Sequence, residues 1–188
     1  MSYQVDDVLK AMIGEVSQVL KSNDDVNKAM IRHWCEALED NNPLYTDEGY
    51  SKKSEYGSII MPPAMVQSHC LPVMWPKKQT PPDPLAKAMK ICTEAGYSAI
   101  VGISISYEFY RPLYPGDQIR YRIKLANASS EKTTKLGQGY FVTSEYSYTN
   151  QNGEAISTQF LTVLAYKPSD RNLHNEEVVH GMGNKVLG

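Results

Sequence analysis

From Val101 onward, apolar residues recur at every second position. Val101, Ile103, Ile105, Tyr107 and Phe109 alternate with Gly102, Ser104, Ser106, Glu108 and Tyr110. Ile119, Tyr121, Ile123 and Leu125 alternate with Arg120, Arg122 and Lys124, and the same period returns over residues 139–149 and 155–167. Successive side chains of a strand point to opposite faces. Period two therefore predicts at least four antiparallel strands, each with one buried and one wet face. Turn residues separate the runs: Pro115-Gly116-Asp117, and the NQNG stretch from Asn150 to Gly153, which reads as a hairpin. A sheet with one apolar face needs a cover, and only the first half of the chain can supply it.

That half has the period of helices. Val5, Val8, Leu9 and Met12 predict a short helix within residues 5–21 that Gly14 ends. After the capping residues of SNDD, Met30, Ile31, Trp34, Cys35 and Leu38 form one apolar stripe, with Arg32 and Glu36 four apart on the outer side. Pro43 is expected to close that helix. Thr46 or Asp47 can cap a short helix reaching Ser54, Gly57 permits a tight turn, and Pro62-Pro63 gives a rigid extended entry to a helix over AMVQSHCL. Residues 72–84 hold five prolines and read as a loop long enough for a lid or rim. LAKAMKICTEAG reads as a further helix ended by Gly96. The expected organisation is one α+β domain over residues 1–168, a helix wrapped by a curved antiparallel sheet, with a polar tail or linker over 169–188.

Composition removes several function classes. A formal net charge of −2 supplies no basic patch for nucleic acid or an anionic membrane. No run approaches the ~20 apolar residues of a membrane span. Asp6 and Asp7 stand where a signal peptide needs basic residues. Cys35, Cys70 and Cys92 are odd in number and lack a CxxC, which argues against a disulfide framework or a zinc site and for a reducing, cytoplasmic setting. The 13 tyrosines against 3 phenylalanines favour half-exposed faces and a partner surface.

The segment ALEDNNPLYTDEGYSKKSEYGSIIMPP resembles the signature of MaoC-like enoyl-CoA hydratases of the hot-dog superfamily. That signature runs apolar-Gly-Asp-x-Asn-Pro-apolar-His, then a short helix and a Tyr-Gly-Gly turn leading into proline. Asp40, Asn42, Pro43, Leu44, Tyr56, Gly57 and Pro62-Pro63 match it in order and spacing. YEFYRPLYPGDQIRYRIKL is similar to the strand, Arg-Pro, Pro-Gly-Asp turn and strand that follow. VNKAMIRHWCEALEDNNPLYTD and LGQGYFVTSEYSYTNQNGE resemble the N-terminal, non-catalytic half found in heteromeric steroid side-chain hydratases. The likeness spans roughly residues 14–168. It implies a hot-dog fold, an acyl-CoA substrate, a catalytic hot-dog partner subunit and no cofactor or metal. In such relatives a thiolase-like protein is a further partner, contacted through an OB-fold domain that follows this half.

Hydrating an enoyl thioester requires a base to activate water, a proton for Cα and fixed donors for the enolate oxygen. In the family the motif's Asp and His handle the water. The resemblance places Asp40 at the Asp position and Tyr45 at the His position, and Glu39 replaces the Gly before Asp. An unperturbed tyrosine, with a pKa of about 10, is a poor base at neutral pH but a competent hydrogen-bond donor. The candidate catalytic residues are therefore Asp40 and the degenerate Tyr45. Trp34, Asn42, Gly57, Ile60, Pro63 and Met65 are the candidate substrate-binding residues. Each has a plainer reading as well: Asp40 and Asn42 as turn residues, Trp34 as core, Gly57 as a turn. Three functions stay open: a substrate-binding subunit of a heteromeric hydratase, an acyl-CoA-binding scaffold for a thiolase-like aldolase, and a stand-alone homodimeric hydratase or thioesterase using Asp40.

Overall fold

The computed structural model describes residues 2–76 and 82–168, with side chains from Val5 onward. The expected tail over 169–188 and the centre of the proline-rich loop lie outside the described residues. The period-two runs become β2 (Ala99–Phe109), β3 (Arg120–Ala128), β5 (Gly137–Thr149) and β6 (Ala155–Pro168), joined by the short β1 (Leu20–Lys21) and β4 (Lys132–Thr133). All pair antiparallel in the order β1-β3-β5-β6-β2, with β4 beside β5. The turns form as their residues predict. Gly116 takes φ 99°, and the Tyr114 N–H donates to the Asp117 carboxylate at 2.9 Å. In the NQNG hairpin, Asn150 Oδ1 accepts from the N–H groups of Asn152 and Glu154, both at 3.0 Å.

The inner face of the sheet carries two separate core clusters. Over one half lie α1 (Ser2–Ala11) and α6 (Pro84–Glu94). Val5, Leu9, Met12, Ala88 and Cys92 pack there against Leu125, Tyr140, Val142 and Ala165. Asp83 caps α6 by accepting from the Ala86 N–H at 2.9 Å, Pro84 occupies its first turn, and Gly96 follows at φ 91°. Over the other half lie α2 (Lys28–Leu38) and the segment leading into α5 (Val66–His69). Ile31, Cys35, Ile59, Met61 and Val66 pack there against Ile119, Tyr148 and Ile156. The helix laid across the sheet strands is thus α6, and the Trp34 stripe of α2 serves the second cluster. The whole is an α+β hot-dog arrangement.

Two expectations need correction. Pro43 does not merely close α2, which ends at Leu38; it opens a new one-turn helix, α3 (Pro43–Thr46), followed by α4 (Glu48–Lys53) with Asp47 as its cap. Proline at the first helical position lacks only an N–H that would have no intrahelical partner there. Nor is one face of β2 buried. Ile103, Ile105 and Phe109 are 46%, 45% and 44% exposed. The reason is topological: among the described residues β2 has a strand neighbour on one side only, and α6 lies over β3, β5 and β6. At the opposite end of the sheet, β3 lies between β5 and the short β1, with a further bridge from Val16 to Lys124. Gly139 within β5 reflects packing, since a Cβ there would stand 2.3 Å from the Ala165 carbonyl oxygen of β6. No helix among the described residues is long and apolar enough to cross a membrane.

Candidate functional site

The end of α2 builds the motif loop. Glu39 takes a left-handed conformation, φ 54° and ψ 33°, and its N–H donates to the carbonyls of Cys35 and Glu36. The chain then reverses. The Asp40 N–H donates to the Cys35 carbonyl at 2.9 Å, and Asp40 Oδ1 accepts from the Asn42 N–H at 3.1 Å. Asn42 in turn caps α3, with its Oδ1 accepting from the Leu44 N–H at 3.1 Å. Both side-chain oxygens therefore shape the loop, as Asx residues before a helix commonly do.

That loop sets Tyr45 on α3 beside Asp40, half-buried and packed on the second core cluster. Burial, reinforced by the Asp40 carboxylate, pushes the Tyr45 hydroxyl up from its ordinary pKa, while the Asn42 hydrogen bond acts the other way. The neighbouring Cys35 thiol is raised by burial, then by Asp40 and Glu36. An acid raised by desolvation and a nearby anion holds its proton more firmly. Raised in this way, the Tyr45 phenol is a hydrogen-bond donor at neutral pH and not a base.

The remaining candidates divide by location. Ile60 and Pro63 line a cleft of about 250 Å³ together with Tyr56, Phe109, Tyr110 and Arg111. Ile60 is buried and its N–H donates to the Leu44 carbonyl at 3.3 Å, tying the cleft wall to α3. Tyr56 joins the two regions, because it lines the cleft and also raises the Tyr45 hydroxyl. A second depression of about 240 Å³ has Tyr45 in its wall, with Lys28, Arg32 and Glu48. Met65 is buried in the second core cluster, and Trp34 packs half-buried at its edge. Gly57, at φ 67°, sits in an exposed turn, and its N–H already donates to the Ser54 carbonyl at 3.2 Å. The structure thus gathers Asp40, Asn42 and Tyr45 in the loop and first turn after α2, with Ile60 and Pro63 in the adjoining cleft; Trp34 and Met65 share the second core cluster with Tyr45, and Gly57 lies in the exposed turn after Tyr56.

Of the cleft residues only Ile60 and Pro63 were candidates; Tyr56, Phe109, Tyr110 and Arg111 are among those that were not. Tyr56 stands in the matched motif and Arg111 in the matched Arg-Pro step, so their signal was present. Phe109 could not be read as a cleft residue while β2 was expected to bury it. Arg111 is ion-paired with Glu154, so an incoming anion must compete with a carboxylate. The row of Arg120, Arg122 and Lys124 lies on the outer face of β3, where Lys124 pairs with Glu145 at 3.4 Å. Of the histidines, His33 sits on the exposed side of α2 against Arg32, and the buried His69 has Nε2 3.0 Å from the Asp24 carbonyl oxygen. His174 and His180 lie outside the described residues.

A family model described as the FAS1-like dehydratase domain region matches residues 11–159. A probable enoyl-CoA hydratase alpha subunit of Thermomonospora curvata is 34% identical in an alignment 169 residues long that covers 85% of this chain and 51% of that protein. The 3-oxo-4,17-pregnadiene-20-carboxyl-CoA hydratase alpha subunit of Mycobacterium tuberculosis is 29% identical over 148 residues, 79% of this chain and 47% of that one. This chain therefore spans about half the length of the curated relatives it matches. Among solved structures, a chain of the ChsH1-ChsH2 complex of Mycobacterium tuberculosis superposes with a TM-score of 0.79 at 27% identity, covering 89% of this chain and 92% of that one.

Proposed function

The chain belongs to the FAS1-like dehydratase domain family, MaoC-like and hot-dog in fold, and on that premise we propose that it is the substrate-binding half of a heteromeric enoyl-CoA hydratase. In this reading it adds no base of its own. A partner hot-dog subunit brings the intact Asp and His, and the heteromer adds water to a trans-2-enoyl-CoA with a bulky acyl group, in the cytoplasm. One observation carries the reading. Where a hydratase of this type needs a base, Tyr45 stands beside Asp40 with its hydroxyl held in the protonated form by burial and by that carboxylate. Asp40 itself accepts a backbone hydrogen bond within its own loop.

Three further features support the reading. Two similar curated proteins are named alpha subunits. The outer strand β2 presents Ile103, Ile105 and Phe109 to solvent on an unpaired edge, a surface that a second sheet would cover. Cys35, Cys70 and Cys92 are all free and buried, as suits a reducing compartment. The test uses the purified full chain with crotonyl-CoA and a long-chain trans-2-enoyl-CoA, alone and mixed with a hot-dog subunit of the same genome that retains Asp-x-Asn-Pro-x-His. The expected result is CoA-ester binding without turnover by the chain alone, and turnover by the mixture. Robust turnover by the chain alone, abolished by Asp40→Asn, overturns the proposal.

A further inference from the structure

Beside the second core cluster lies a cavity of about 310 Å³, walled by Leu20, Lys21 and Asn23 from the end of β1 and by Gln67, Cys70 and Leu71 from α5 and the segment after it. Few bonds hold these two walls together. Asn23 Nδ2 donates to the Leu71 carbonyl at 2.8 Å, and His69 Nε2 lies 3.0 Å from the Asp24 carbonyl oxygen. Ser22 Oγ donates to that same Asp24 carbonyl at 2.8 Å, which fixes the shape of the loop. From β3, the Tyr121 hydroxyl donates to the Cys70 carbonyl at 3.0 Å. Leu71 is 59% exposed, so apolar burial adds little along this seam.

Of these links only His69 changes its charge near neutral pH. A carbonyl oxygen accepts and never donates, so the bond to Asp24 fixes the proton of the neutral ring on Nε2 and leaves Nδ1 as an acceptor. The residue is 4% exposed, and Nδ1 has no hydrogen-bond partner among the described residues. A second proton must go to Nδ1. There it makes a buried charged donor without an acceptor, which is far less favourable than a buried neutral acceptor. The charged groups facing the ring are the Asp24 and Asp25 carboxylates of the loop. They favour the charged ring, and burial outweighs them. On the ring's own segment the Cys70 thiol is raised by burial to about 12, and on β3 the Tyr121 phenol is raised to about 12, first by burial. Both stay neutral at and below pH 7, so neither supplies a counter-charge.

We propose that His69 is an acid-released latch on this cavity. Neutral, it holds the wall from Cys70 to Val73 against the loop from Ser22 to Asp25. Protonated, it lets that wall part from the loop, so that the imidazolium reaches water and the cavity opens. The closed form binds fewer protons than the open one. Closure is therefore complete above the ring's ordinary value, about 6.5, and is lost as pH falls below it. The test labels the full chain with 4,4′-dithiodipyridine between pH 7.5 and 5.5. Peptide mass mapping locates the labelled cysteine, and rates are divided by those of glutathione at the same pH. Cys70 reports the cavity wall, and Cys92, 0% exposed in the first core cluster, reports global unfolding. Expected is a rise of about tenfold or more in Cys70 labelling by pH 5.5 with Cys92 unchanged, since one unmet buried hydrogen bond shifts an opening equilibrium by roughly that factor. His69→Gln keeps a side-chain N–H for the Asp24 carbonyl but cannot titrate, so its Cys70 should stay protected across the range. Protection of Cys70 at pH 5.5, a parallel rise of Cys70 and Cys92, or an unchanged pH dependence in His69→Gln each overturns the proposal. Should the variant fail to fold, the wild-type contrast between Cys70 and Cys92 decides alone.

Discussion

Replacing Glu39 by glycine should stabilise the protein. Glu39 is the only non-glycine residue with positive φ among the described residues, at 54°, and it occupies the position after α2 where a left-handed residue ends the helix. The left-handed region costs an L side chain roughly 1–2 kcal/mol, and glycine avoids that penalty. Against this, glycine loses more freedom on folding, about 0.5–1 kcal/mol. The difference leaves a gain of about 0.5–1 kcal/mol. For a domain of this size that is about 1–4 °C in melting temperature. The exposed Glu39 side chain makes no ion pair with a described residue that glycine would forfeit. The assay is urea unfolding of wild type, Glu39→Gly and Glu39→Ala, followed by circular dichroism and tyrosine fluorescence. Alanine removes the carboxylate but keeps the Cβ, so it should lie within a few tenths of a kcal/mol of wild type. Glu39→Gly equal to or below Glu39→Ala in stability would refute the assignment of backbone strain to this turn. The same result would weaken the view that the loop holding Asp40 keeps its geometry despite a missing glycine.

Gly139→Ala should destabilise by about 3 kcal/mol or prevent folding, because its Cβ would meet a backbone oxygen of β6 rather than a movable side chain; chemical denaturation measures it. His69 has its pKa lowered by burial. It therefore contributes stability that is full above its unfolded value, about 6.5, and is lost as pH falls below it. His69→Gln should flatten the fall in melting temperature between pH 6.5 and 5, and an unchanged slope would contradict this. Cys70 and Cys92, raised to about 12 and about 11 by burial, contribute stability that is full below the unfolded thiol pKa and lost as pH rises from there through those values. Their alkylation by iodoacetamide at pH 8 should accordingly appear only on unfolding. Ile105→Asp on the open face of β2 should leave the monomer's melting temperature nearly unchanged yet weaken association with a partner subunit at least tenfold, as read by sedimentation; equal association would remove β2 from the interface.

Much of the fold was written in local pattern. The alternation over 119–125, 139–149 and 155–167 became paired strands because period two leaves a side chain no other way to face a core. Asp47 and Asp83 cap helices, and Gly96, Gly116 and Gly153 adopt positive φ, because those choices involve only neighbouring atoms. The same holds for the Asp40–Asn42–Pro43 turn, whose hydrogen bonds all close within a few residues.

What the pattern could not contain is anything that depends on which element lies beside which. The alternation of β2 is as strict as that of β3, yet β2 is the outer strand and its apolar face is exposed. Burial belongs to a neighbour, and sequence period does not name the neighbour. Tyr45 was readable as a departure from a motif, but the reinforcement of its proton by Asp40 arises only once α3 folds back beside the end of α2. Tyr146, Gln159 and Ser144 show the limit most clearly. Each of these residues is unremarked along the chain, and antiparallel register alone brings them to the same inner face of the sheet. Local chemistry thus determined the strands, the caps and the motif loop, while long-range pairing decided which faces stay open and where a cavity forms.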